Sequence, residues 1–174
     1  SDVCSSDLIE KNDDLMIHYY EIVAEENDIE SILYLANYYK KEKIFDKMIE
    51  YYEKGFSLGN NESSHELGLY YQSIKNYDKM LFYYSSIPET LNIILNILKY
   101  HKEITKNKLE IEKYLKKLID FGDIEKIREI LELYISDNRI QDAIDYSKEL
   151  FKSDSKRKVL LNFLEENIKY PFDN

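Results

Sequence analysis

The sequence predicts an all-α fold, an α-solenoid built from antiparallel helix hairpins. Three observations point there. All three methionines, Met16, Met48 and Met80, stand 32 residues apart. Only 4 glycines and 2 prolines punctuate 174 residues, far fewer than a sheet protein needs for its turns. Apolar residues recur at helical spacing, as in Ile32, Leu35, Ala36 and Tyr39 and then Met48, Tyr52 and Phe56.

The same 32-residue offset relates Tyr19-Tyr20, Tyr51-Tyr52 and Tyr83-Tyr84, and also Asp14, Asp46 and Asp78. Leu35, Tyr38 and Tyr39 return as Leu67, Tyr70 and Tyr71, Ala36 as Gly68, and Phe45 as Tyr77. Self-similarity at such a period is the mark of a repeat architecture, and residues recurring once per repeat read as packing positions. Later units repeat more loosely. Tyr100-His101 takes the tyrosine-pair slot of a third unit, followed by Ile111, Tyr114 and Leu115; Tyr134, Ala143 and Tyr146 do so for a fourth. The connection holding Pro88 is about two residues short, and one residue is gained near Lys106-Asn107.

In chain order, residues 12–26 form the second helix of a partial unit. Complete hairpin units follow at 28–59, 60–88, 89–122 and 123–153, and a capping helix at 155–169 that Pro171 ends. Asn27-Asp28-Ile29-Glu30, Gly59-Asn60-Asn61-Glu62 and Gly122-Asp123-Ile124-Glu125 mark unit boundaries. Gly or Asn takes the left-handed conformation that ends a helix, the next Asp or Asn caps the following one, and Glu suits its dipole. Inside a unit, Lys41 to Ile44 fits a hairpin turn. Val159, Leu160, Phe163, Leu164 and Ile168 give the last helix an apolar face that seals the array. Residues 9–174 are thus one helical repeat domain.

Residues 1–8, SDVCSSDL, break the pattern. They resemble a translated sequencing-adapter peptide of the kind that opens reading frames in metagenomic assemblies, so they are expected to be an artefactual or disordered leader. Cys4 falls inside it and carries no redox information, and the true N-terminus is expected to lie upstream.

The net charge is −10, with signs interspersed. Without a basic stripe to displace counterions, no nucleic-acid partner is expected. No apolar run approaches ~20 residues, so no membrane span is expected, and the expected location is the cytoplasm. The basic cluster Lys152, Lys156, Arg157 and Lys158 reads as the opening of the last helix.

Nor do the residues suggest an enzyme. His65-Glu66 begins a zinc-protease pattern, but position 69 is Leu69, and His18, His65 and His101 lie in different units, so no metal is expected. Ser63-Ser64 and Ser85-Ser86 lack the Gly-x-Ser-x-Gly elbow, and no Gly-rich phosphate loop occurs, so no catalytic residue and no cofactor are expected. Carboxylates keep i,i+4 company with lysines, as in Glu50–Lys54 and Glu112–Lys116, which reads as a solvated face.

The pattern Leu-Ala/Gly-x-Tyr-Tyr, an aromatic before Asp-Lys-Met, then Tyr-Tyr and a terminal Gly-Asn/Asp, resembles tetratricopeptide repeats and their Sel-like relatives. The tyrosine- and asparagine-rich style is similar to that of giant-virus and AT-rich microbial members. Leu35, Ala36, Tyr39, Met48 and Tyr52 match the family's small and large packing positions, as do Leu67, Gly68, Tyr71, Met80 and Tyr84. The likeness covers nearly all of residues 12–153. The units are shorter than the usual ~34 residues, the late ones lack the small residue, and the closing proline is mostly absent.

The resemblance implies a tetratricopeptide-like right-handed superhelix whose first helices line a concave groove for a protein or peptide segment. In that register the groove candidates are Leu33, Asn37, Lys40, Lys41, His65, Leu69, Gln72, Lys99, Lys102, Arg128 and Glu132. The chaperone-binding carboxylate clamp does not carry over, because Leu33 and Glu62 stand where it needs other chemistry. The lysines make the wall basic or neutral, which favours an acidic or mixed segment. The expected function is a binding scaffold for protein–protein interaction. The alternatives are a structural repeat segment of a larger multidomain protein whose activity lies elsewhere and, ranked lower because the chain is acidic, an RNA-binding helical repeat.

Overall fold

A computed structural model describes residues 5–167, with side chains described from 14 to 163. Among the described residues the chain is all-helical, without a strand: α1 (Ser5–Glu25), α2 (Ile29–Lys41), α3 (Phe45–Ser57), α4 (Asn61–Ser73), α5 (Tyr77–Ser85), α6 (Leu91–Tyr100), α7 (Lys108–Asp120), α8 (Lys126–Ser136), α9 (Ile140–Leu150) and α10 (Asp154–Asn167). A π-helical turn, His101–Thr105, extends α6. The chain divides between Pro88 and Glu89, so α1–α5 belong to a first compact unit and α6–α10 to a second. Helices pack on their neighbours in sequence, α1 through α5 in the first unit and α6 through α9 in the second, with α10 against both α8 and α9. α1 opens at Ser5, inside the segment set apart as a leader; residues 1–4 and the Ile168 and Pro171 assignments lie outside the described residues.

The local signals explain most helix boundaries. Asn27 (φ 63°) and Gly59 (φ 79°) take the left-handed conformation, and the next residues cap α2 and α4. The Asp28 carboxylate accepts from the Ser31 N–H at 2.8 Å, and the Asn60 side-chain oxygen from the Ser63 N–H at 2.7 Å. Each satisfies a donor that the first helical turn leaves over. The third signal departs from expectation. Gly122 is left-handed (φ 101°), but Ile124 N–H then donates back to the Gly122 carbonyl at 3.0 Å, winding a further tight turn. α8 therefore starts at Lys126, and Asp123 is not its cap; Glu125 stands there with no side-chain cap bond.

Three hairpins close with one hydrogen-bond pattern. Ile44 N–H donates to Tyr39, Asn76 N–H to Tyr71 and Arg139 N–H to Tyr134, at 2.9, 2.9 and 2.8 Å. The residue before each donor, Lys43, Lys75 or Asn138, has positive φ, which gives the six-to-one closure of a Schellman turn. The α6–α7 hairpin differs. Its extra residue is housed by the π-helical turn and a left-handed Lys106 (φ 52°), after which the Asn107 side chain caps α7.

Each unit has its own core. In the first, Ile32, Leu35, Ala36, Leu67 and Met80 are all 0% exposed, and Met48 is 2%. In the second, Ile94, Leu98, Leu115, Leu118, Ile127, Ile130 and Leu131 close around Leu160 and Phe163 of α10. The methionine row is not uniformly core, because Met16 is 36% exposed and neighbouring Tyr19 64%. Gly68 permits the closest approach. A Cβ there would lie 2.4 Å from the Tyr84 ring.

Candidate functional site

In the first unit the α2–α4 wall carries Leu33, Asn37, Lys40 and Lys41 on one helix and His65, Leu69 and Gln72 on the other. Two buried tyrosines of the second helices reach through to it. Tyr52 OH donates to Asn37 Oδ1 at 2.8 Å, and Tyr84 OH to Gln72 Oε1 at 3.3 Å. Each ring is 1% exposed, so its hydroxyl proton needs an acceptor, and burial pushes the Tyr52 phenol above its ordinary range. With the amide oxygens engaged from behind, the NH2 groups are what Asn37 and Gln72 offer a ligand.

Lys40 forms an ion pair with Glu66, which links α2 to α4. A cavity of about 230 Å³ opens there, its apolar part supplied by Phe45, Met48, Leu69 and Tyr70. The rings of Phe45 and Tyr70 lie 5.6 Å apart. Lys40 and Leu69 thus meet at one cavity. His65 is half-buried with its ring 6.2 Å from that of Tyr84, while Lys41 is exposed and Leu33 half-buried.

In the second unit Lys102, on the π-helical turn, pairs with Glu129 of α8. The Arg128 guanidinium lies 5.8 Å from the Phe163 ring centre, a contact to α10, while Lys99 and Glu132 are exposed. Lys40 and Lys102, two of the lysines taken to make the wall basic, are each matched by a carboxylate from the next first helix. A second cavity, about 470 Å³, lies among Lys116, Tyr146, Glu149, Lys152 and Lys156, where charges of both signs meet.

A ring cluster that recurs in three of the hairpins escaped the sequence reading. Tyr39 stacks on Tyr51 and Tyr71 on Tyr83, both at 5.6 Å, and His101 on Tyr114 at 5.6 Å. Lys47 donates to the Tyr39 hydroxyl at 3.2 Å and Lys79 to that of Tyr71 at 3.0 Å. A carboxylate from the preceding second helix completes each: Tyr39 OH donates to Glu21 and Tyr83 OH to Glu53, both at 3.1 Å. The signal was present in Tyr-Tyr-Glu, since Glu21 and Glu53 follow their tyrosine pairs at the 32-residue offset. Lys54, expected to pair with Glu50, instead donates to the Ala24 carbonyl at 2.6 Å.

Glu112 is this carboxylate's counterpart in the second unit and is no solvated residue, with its side chain 13% exposed. It accepts from Lys116 at 2.8 Å, Tyr134 OH at 2.8 Å and Arg139 at 2.7 Å. Burial pushes its pKa up, but these three donors outweigh burial and hold it at about 2 against an ordinary 4.5. A folded value below the unfolded one adds stability that is full above pH 4.5 and is lost as the pH falls toward 2. Glu112→Gln is expected to lower the thermal midpoint at pH 7 and flatten its decline over that acid window. Parallel midpoint-against-pH curves for the two proteins would refute this role.

Among the described residues no group of three or more His, Cys, Asp or Glu side chains could hold a metal ion. No helix there is long and apolar enough to cross a membrane. The chain matches no protein-family model and no curated protein.

Proposed function

We propose that the chain is a helical repeat scaffold that binds a protein or peptide segment, its hairpins stacked as an α-solenoid of the tetratricopeptide or Sel-like kind. The observation that carries this reading is the α2–α4 wall: two amides held from behind by buried tyrosines, beside an apolar cavity rimmed by an ion pair. Pre-set polar groups around one apolar recess suit a side chain flanked by peptide backbone, because ordering was completed on folding rather than on binding. Lys40 being matched by Glu66, the wall's selectivity rests on shape and amide donors more than on net charge. Repetition supports the scaffold reading, since each hairpin adds surface without new topology.

The test is selection of peptides from a random library against the full chain, followed by affinity measurements on variants. Leu69→Asp and Asn37→Ala are each expected to weaken selected peptides at least tenfold with helical content unchanged. Lys148→Ala, far from this wall in sequence and on α9, should leave affinity alone. Binding indifferent to Leu69 and Asn37 would remove this wall as the site.

A further inference from the structure

The first unit carries a stripe that the α2–α4 wall does not use. On α1, Leu15, Tyr19 and Ile22 fall at i, i+4 and i+7 and are 63%, 64% and 53% exposed. Met16, at their edge, is 36% exposed, and its sulfur accepts from the Tyr34 hydroxyl of α2 at 3.3 Å. Together they form an apolar helical face open to solvent.

The same chain contains this face in covered form, twice. Shifted by 32 residues, Met16 becomes Met48 and Met80, which are 2% and 0% exposed. Tyr19 becomes Tyr51 and Tyr83, whose rings stack on Tyr39 and Tyr71. Tyr20 becomes Tyr52 and Tyr84, each 1% exposed and bonded to a first-helix amide. In both cases the cover is the first helix of the same hairpin, α2 over α3 and α4 over α5. Both covering helices present the pattern Leu-Ala/Gly-x-Tyr-Tyr, as Leu35 to Tyr39 and Leu67 to Tyr71. α1 has α2 on one side, with Tyr20 stacked on Tyr34 at 3.9 Å. Among the described residues no helix packs on the side that α3 and α5 turn to their own first helices.

We propose that this face of α1 docks an amphipathic helix of the α2 and α4 type, its leucine and small residue over Met16 and Tyr20 and its tyrosine stacked on Tyr19. The internal repeats name the occupant's chemistry, because they show what covers the equivalent faces. Leu15 and Ile22 stand where α3 carries Lys47 and Lys54, so α1 is the more apolar of the two and offers extra contact area at its edge. The inference is separate from the α2–α4 wall and stands or falls without it.

A 14-residue peptide with the sequence of residues 28–41 is the probe, held helical by a side-chain cross-link on its solvent face. The cross-link removes the nucleation cost that leaves short free helices unformed. With the full chain, saturable binding by fluorescence anisotropy is expected. Affinity should fall at least tenfold for the chain carrying Tyr19→Lys and Ile22→Lys, both exposed positions, and likewise for a peptide with its counterpart of Leu35 replaced by Asp. Three results overturn the proposal: no saturation at millimolar peptide, equal affinity for the charged variant (which places the peptide elsewhere, for example in exchange with α2), or equal affinity of the Asp-bearing peptide. Self-association in sedimentation that Tyr19→Lys and Ile22→Lys abolish would overturn it too, because the occupant is then a second copy of the chain.

Discussion

Replacing Met80 by aspartate is expected to cost roughly 3–5 kcal/mol, the sum of a lost core side chain and an unpaired buried charge. Met80 is 0% exposed and lies on α5 where that helix meets α4, so neither water nor a counter-ion reaches the site without opening the hairpin. Lys41→Asp is the matched control. Lys41 is exposed at the last position of α2, where reversing its charge acts only through the helix dipole, on the order of 0.3–1 kcal/mol. Urea melts should separate the two widely. Equal midpoints would mean that Met80 does not pack between helices.

Gly68→Ala should destabilise, by up to roughly 2 kcal/mol, although it replaces a poor helix former by the best one. Helix propensity favours the alanine by about 1 kcal/mol. Against that, the new Cβ would meet Tyr84 ring carbons at 2.4 and 2.6 Å, well inside contact, and overpacking of this kind costs roughly 1–3 kcal/mol. The ring is 1% exposed and tied to Gln72, so it cannot swing aside freely. The first hairpin limits the penalty, since Ala36 occupies the equivalent place and is itself 0% exposed. The diagnostic is a change of sign. In a Tyr84→Leu background the clash is gone, and Gly68→Ala should then stabilise; the same loss in both backgrounds would show that the ring is not the obstacle.

Helix existence and most boundaries were legible because they rest on local chemistry. A left-handed Asn27 or Gly59 followed by a capping Asp28 or Asn60 involves only adjacent residues, and the 32-residue offset of the leucines and methionines is read directly from the sequence. What escaped was non-local or conformational. Glu112 looked like half of a surface i,i+4 pair; only packing brings Tyr134 and Arg139 onto it from the next hairpin. The added residue near Lys106 was visible, yet its accommodation as a π-helical turn has no distinct sequence signature. Asp123 carried the same local signal as Asp28, but a tight turn closed first and moved the helix start to Lys126. Of the wall residues, Lys40 and Leu69 meet at one cavity, while charge counting missed that Lys40 and Lys102 are already neutralised by Glu66 and Glu129.

Within each unit, the packing of helices on their sequence neighbours has a kinetic consequence. A hairpin such as α2–α3 forms its contacts across a three-residue turn, so little loop-closure entropy opposes its first association. Low contact order of this sort goes with fast folding, and each hairpin can serve as a nucleus on which the next one grows. The converse is that, among the described residues, the main helix contacts other than that of α10 on α8 are between sequence neighbours, so few distant contacts hold a hairpin shut. Opening can begin at one helix pair and leave its neighbours standing, so amide protection within each unit will grade from hairpin to hairpin instead of collapsing at once. A substitution in one hairpin can therefore shift that hairpin's opening while leaving the protection of the others in its unit in place.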